Sequence, residues 1–122
     1  MYKRQPISRL AECVTETQRD IEESRILAPI VGHVGDGNFH LTLLIYLDDA
    51  DEVKRAKALS ERLVERALAM DGTCTGEHGV GQGKMKYLVA EHGAAALAVM
   101  ASIKRAIDPQ NIMNPGKIVA LS

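Results

Sequence analysis

Seven of the ten glycines and three of the four histidines fall in two short stretches, and every other element has to be placed around these. The first is GHVGDGNFH, residues 32–40, and the second is GEHGVGQGK, residues 76–84. Glycine is entropically costly to order and supplies no packing, so such density marks backbone brought close to something. Histidine and glutamate among the glycines indicate what that is: a divalent metal, an anionic substrate, or both.

The intervening segments read as regular structure. Pro6 and Ser8 are good helix-start residues, and Leu10, Cys13, Thr17 and Ile21 follow at helical spacing, which predicts a helix over residues 7–25. Its charged residues (Arg9, Glu12, Glu16, Arg19, Asp20, Glu23) read as a solvated face. Leu27 to Val31 predicts a short buried strand. From Asn38 to Leu47 the period is two: Phe39, Leu41, Leu43, Ile45 and Leu47 form the core face, and His40, Thr42, Leu44 and Tyr46 the other. Asp48, Asp49 and Asp51 suit a helix N-terminus, and an apolar stripe from Val53 to Met70 predicts a helix over 51–70 capped by Gly72. Thr73 to Thr75 is expected as a further strand. Lys84 to His92 reads as helical with Gly93 as a stop, and Ala94 to Ile107 as a last helix ended by Asp108-Pro109. The tail from Asn111 to Lys117 has too many breakers for a helix. The order implies an α+β fold: a small, mostly antiparallel sheet with helices packed on one face.

A chain of 122 residues is enough for one domain, placed at residues 6–122, with residues 1–5 read as a disordered or foreign end. A formal net charge of -1 gives no reason to expect nucleic acid as a partner. No apolar run approaches a membrane span, and the start lacks a signal-peptide core. Two cysteines, Cys13 and Cys74, make no disulfide framework and read as buried thiols. The expected location is cytoplasmic, or peripheral at the inner membrane.

Two imidazoles and one carboxylate form a common ligand set for a catalytic divalent ion, leaving positions for substrate or water. His33 and His40 approach one ion if the turn at Gly35–Gly37 folds their strands side by side, and Glu77 comes from the second segment. Glu77 and His78 are neighbours whose side chains point apart in extended backbone. If Glu77 holds the metal, His78 is free for proton transfer; the bland alternative is a surface loop residue. Asp36 reads as a turn residue beside Gly37. Asn38 either caps the turn or binds ligand, and Lys84 either attracts an anion or starts a helix. His92 reads as structural. The glycines around residue 81 fit neither a dinucleotide-binding turn nor a phosphate loop.

GHVGDGNFH, TCTGEHGVGQGK and DPQNIMNPGKIV, in that order, resemble the C-terminal portion of FAD-linked 2-hydroxyacid dehydrogenases of the vanillyl-alcohol-oxidase type. The likeness covers residues 6–119. The opening PISRLAE resembles the cytochrome-linked D-lactate dehydrogenase branch, with glycolate oxidase flavin subunits and D-2-hydroxyglutarate dehydrogenases as near relatives. The resemblance implies FAD, bound mainly by an N-terminal domain this sequence lacks, and a zinc or manganese ion held by His33, His40 and Glu77. It implies His78 as the base taking the hydroxyl proton while the α-hydrogen leaves as hydride to the flavin, most simply from D-lactate to give pyruvate. Asn38 is placed with the substrate, and Asn114 and Lys117 on the flavin side in a supporting role. The implied partners are a small 2-hydroxyacid, the FAD-binding domain and a cytochrome or quinone acceptor. The sheet face carrying His40 and Tyr46 is then expected to be uncovered in the isolated chain, either driving self-association or leaving the metal weakly held, and the chain alone is expected to be inactive. Two rival readings are a free-standing metal hydrolase and a non-catalytic module docking on a flavin subunit.

Overall fold

A computed structural model describes residues 2–4, 6–76 and 78–121. Contacts divide the chain into two compact units, Met1–Glu77 and His78–Ser122.

The first unit is a three-stranded antiparallel sheet with two helices, in accord with the α+β expectation. Strand β1 is Tyr2–Arg4, helix α1 Ile7–Ser24, strand β2 Ile30–His33, strand β3 Asn38–Leu41 and helix α2 Ala50–Ala69. The sheet order is β1-β3-β2. Within the end read as disordered or foreign, Tyr2–Arg4 pair with β3 through the backbone, which needs no apolar pattern.

Helix α1 buries Leu10, Cys13 and Thr17, as its spacing predicts. Asp20 corrects the solvated-face reading. It is 7% exposed and faces α2, where Arg62 donates from Nε and Nη2 to its Oδ1 at 2.8 and 2.6 Å and Arg66 donates to Oδ2 at 2.9 Å. Arg66 also donates to the Thr17 hydroxyl at 3.0 Å, and Arg62 to the Ser24 hydroxyl at 2.9 Å. Helix α2 starts at Asp49, whose carboxylate accepts the Glu52 N–H at 2.9 Å. It ends in a Schellman motif: Asp71 N–H donates to Leu68 C=O, and Gly72 N–H to Ala67 C=O at 2.8 Å. The left-handed residue is Asp71, at φ 57°, and Gly72 caps the end as its position indicated.

Leu10, Cys13, Leu59 and Leu63 from the helices meet Phe39 and Leu41 from β3 in one buried cluster. Burying each larger side chain contributes roughly 1.5–3 kcal/mol. Both helices therefore sit against one side of the sheet. The regular part of β3 stops at Leu41 and β2 starts only at Ile30, short of the expected strands. Pro29 explains both: it accepts the Thr42 N–H at 3.2 Å but has no N–H to return, so the ladder breaks there. The register resumes with a bridge between Leu27 and Leu44. Thr73–Thr75 is not a strand; only Thr73 is bridged, and its hydroxyl accepts the Thr75 N–H at 3.3 Å, a local turn that competes with a ladder.

In the second unit a 3-10 turn at Met85–Tyr87 leads into helix α3, Leu88–Ile107. Gly93 interrupts α3 at φ 81° and ψ 158°, the stop its sequence position indicated. The tail beyond Asp108 is a series of turns, as its breakers require. Among the described residues no helix is long and apolar enough to cross a membrane.

Candidate functional site

In the first unit, β2 and β3 meet through the expected turn: Val34–Asp36 form a 3-10 turn, and Gly37 closes it at φ 66°. Asp36 is thus a turn residue. The register pairs Gly32 with Phe39, His33 with Asn38 and Val31 with His40. Paired residues share a face and residues two apart along a strand also share it, so Val31, His33, Asn38 and His40 lie together on the side away from the helices. His33 and His40 are diagonal cross-strand neighbours, about 7–8 Å apart at the backbone, a span that two imidazoles can bridge to one ion. The pairing depends on Gly32: a Cβ there would lie 2.3 Å from Asn38 O.

Asn38 is 7% exposed, and its Oδ1 is buried with no hydrogen-bond partner among the described residues. A buried amide oxygen left unpaired is costly unless a ligand or ion completes it. Two imidazoles on one face suit a divalent ion such as zinc or manganese, and the Asn38 amide oxygen beside them suits a substrate. Glu77, the third predicted ligand, lies outside the described residues. Among the described residues no group of three His, Cys, Asp or Glu side chains is gathered around one point. The same face runs on into apolar surface, with Leu27, Leu44 and Tyr46 respectively 69, 48 and 81% exposed.

In the second unit, His78 is exposed at the head of a turn whose Gly79 and Gly81 adopt φ 72° and 56°. Lys84 precedes the 3-10 turn, and so opens a helical segment. Asn114 and Lys117 line a cavity of about 390 Å³ with Met100, Ile103, Met113 and Ile118. One amide and two ammonium groups, Lys104 and Lys117, stand on this otherwise apolar wall.

The sequence reading missed Asp108, taken only as a helix end. It is buried, and its carboxylate accepts the Ile112 and Met113 N–H groups at 3.0 and 2.9 Å together with the Lys104 ammonium. The bond from Lys104, helped by those from Met113 and Ile112 and opposed by burial, holds its pKa below the ordinary 3.8. An acid directly before Pro109, with backbone donors four and five residues on, was the signal. Cys13 and Cys74 are buried free thiols; burial pushes the Cys13 thiol up.

Over residues 5–118 the chain matches the family of FAD linked oxidases, C-terminal domain, and it belongs to that family. Among individual proteins it is similar to the "Probable D-lactate dehydrogenase, mitochondrial" of Danio rerio, 52% identical over 117 residues, 96% of this chain and 24% of that protein. It is 46% identical over 114 residues to the mitochondrial D-lactate dehydrogenase (cytochrome) of Arabidopsis thaliana, covering 93% of this chain and 20% of the relative. The glycolate oxidase subunit GlcD of Bacillus subtilis is 42% identical over 89 residues, 73% of this chain and 19% of its own. The chain thus spans about a quarter or less of these relatives.

Proposed function

We propose that this chain is the substrate-orienting, metal-holding C-terminal domain of an FAD-dependent D-2-hydroxyacid dehydrogenase that oxidises D-lactate to pyruvate. The observation that carries the reading is the outer face of the β2–β3 pair, where His33 and His40 lie beside an Asn38 Oδ1 that has no hydrogen-bond partner among the described residues. The substrate follows the names of the Danio rerio and Arabidopsis thaliana relatives. When bound, FAD supplies a two-electron acceptor for the α-hydrogen and a divalent ion supplies a Lewis acid for the substrate's carboxylate and hydroxyl.

His33, His40 and Glu77 are the residues that would hold the ion. Asn38 presents its amide to the substrate from the floor between the two imidazoles, fixing the α-carbon's orientation. His78 takes the hydroxyl proton onto a ring nitrogen. Asn114 and Lys117 support the flavin-facing side. The partners are a FAD-binding domain and an electron acceptor of cytochrome or quinone type. The location inferred is cytoplasmic or peripheral at the inner membrane, whereas the two D-lactate relatives are mitochondrial by name. Glycolate is the second substrate reading, on the strength of the Bacillus subtilis relative.

The test is a chimera in which this chain replaces the matching segment of the Danio rerio relative. D-Lactate should bleach the flavin, faster than glycolate does. His78→Ala should slow that reduction by roughly 10²–10⁴-fold with bound metal retained. Flavin bleaching unaffected by His78→Ala would remove the assigned base.

A further inference from the structure

The tail after α3 is held in a conformation its residues do not favour. Asn111, Asn114 and Ile118 have φ of 52°, 47° and 65°. For β-branched Ile118 that is rare, and Val119 N–H donates back to Lys117 C=O at 2.7 Å, which makes Ile118 the centre of the strained, positive-φ form of γ-turn. Such a backbone persists only where its surroundings over-determine it. Here they do. The Asp108 carboxylate fastens Ile112 and Met113, Lys104 bridges Asp108 and the Met113 carbonyl, and Val119 is buried at 8% exposure.

The strained turn delivers one contact. Ile118 N–H donates to Gly81 C=O at 2.9 Å, and Gly116 lies beside Gln82, whose Nε2 is 3.8 Å from where a Gly116 Cβ would be. Gly81 is the third residue after His78, within a run in which Gly79, Gly81 and Gly83 give the backbone large freedom. The run is also wound by Lys84 N–H onto Val80 C=O at 3.3 Å and by Met85 N–H onto Gln82 C=O at 3.4 Å.

We propose that Asp108 is a positioning residue: it fastens the tail so that Ile118 latches Gly81 and sets the orientation of the loop that carries His78. The inference deepens the reading of His78 as proton acceptor and rests on it for its functional meaning. Its test does not use turnover, so the latch can be judged whether or not His78 proves to be the base.

The experiment is NMR on the labelled chain, following the imidazole resonances of His78 and His92 in the second unit and His33 in the first, with amide exchange at Ile118. Three variants are compared. Ile118→Pro removes the donor and forbids the positive φ. Ile118→Gly keeps both. Asp108→Asn loses the charge that gathers the donors. The latch predicts that His78 shifts in Ile118→Pro and in Asp108→Asn, that it keeps its position in Ile118→Gly, and that His33 is unmoved throughout. Ile118 amide exchange should rise about tenfold or more in Asp108→Asn, as expected for loss of bonds to a charged acceptor. His78 unmoved in Asp108→Asn, although Ile118 exchange has risen, would overturn the proposal. If Ile118→Pro unfolds the second unit, seen as His92 collapsing with His78, Asp108→Asn and Ile118→Gly decide the matter by the same criteria.

Discussion

Gly32→Ala perturbs the candidate face through the backbone alone. The added Cβ would lie 2.3 Å from Asn38 O, 2.6 Å from Phe39 Cα and 2.8 Å from Phe39 Cβ. Ordinary contact begins at 3.4 Å, so β2 and β3 must part by about 1 Å. Overpacking of this kind costs roughly 1–3 kcal/mol, and the upper half of that range applies because a carbonyl oxygen and Cα cannot rotate away. At about 4 °C per kcal/mol for a chain of this size, the midpoint should fall by about 10 °C. His33 and His40 are each one residue from the clash, so zinc affinity should also fall, by roughly 10–100-fold, as when the support of a metal ligand is disturbed. Gly35→Ala is the matched control: nothing lies within 4 Å of its added Cβ, and its effect should stay within about 0.5 kcal/mol. The assay is thermal unfolding by circular dichroism, with a zinc titration on each protein. If Gly32→Ala melts and binds zinc like Gly35→Ala, the strand pairing is not as described and the shared face has no basis.

Two further outcomes follow from packing and charge. Burial pushes the Asp20 carboxyl up, but the bonds and charges of Arg62 and Arg66 together outweigh it and leave the pKa below the ordinary 3.8. Asp20→Asn should therefore cost about 1–3 kcal/mol in urea unfolding at neutral pH. A depressed carboxyl gives stability that is present above its unfolded pKa and lost as pH falls through the folded one, so the deficit should close below pH 3.8. On the outer face, Leu44→Lys and Tyr46→Ser should reduce self-association of the chain in sedimentation equilibrium, because they break the exposed apolar end of the sheet. Unchanged association would move the sticky surface elsewhere.

The local rules written in these residues were legible. Helical spacing located α1 and α2 to within a residue or so, Gly93 broke α3, and the turn at Gly35–Gly37 brought β2 and β3 together. What stayed hidden depended on partners distant in sequence. Asp20 read as solvated because the arginines that neutralise it lie more than forty residues away on α2. The strands were drawn too long because apolar alternation continues through Pro29 and Thr42, whereas the ladder needs an N–H that proline lacks. Tyr2–Arg4 joined the sheet by backbone pairing, which leaves no apolar signature.

The candidate site was legible in the same uneven way. Period two placed His40 opposite Phe39, and the register added His33 and Asn38 to that side. No pattern in the chain could show that Asn38 Oδ1 would be buried without a partner among the described residues, since that depends on what surrounds it. Asp108 was overlooked because its neighbour Pro109 already explained the end of the helix.

The account rests on His33 and His40 holding a single ion, and metal content measures that directly. The purified chain, His33→Ala, His40→Ala and the double variant would each be equilibrated with zinc or manganese, dialysed and analysed by inductively coupled plasma mass spectrometry. One ion per chain should remain in the parent, each single variant should lose it, and the double variant should be no worse than either single one. Retention of the ion by both single variants, or losses that simply add, would show that the two imidazoles do not share a ligand.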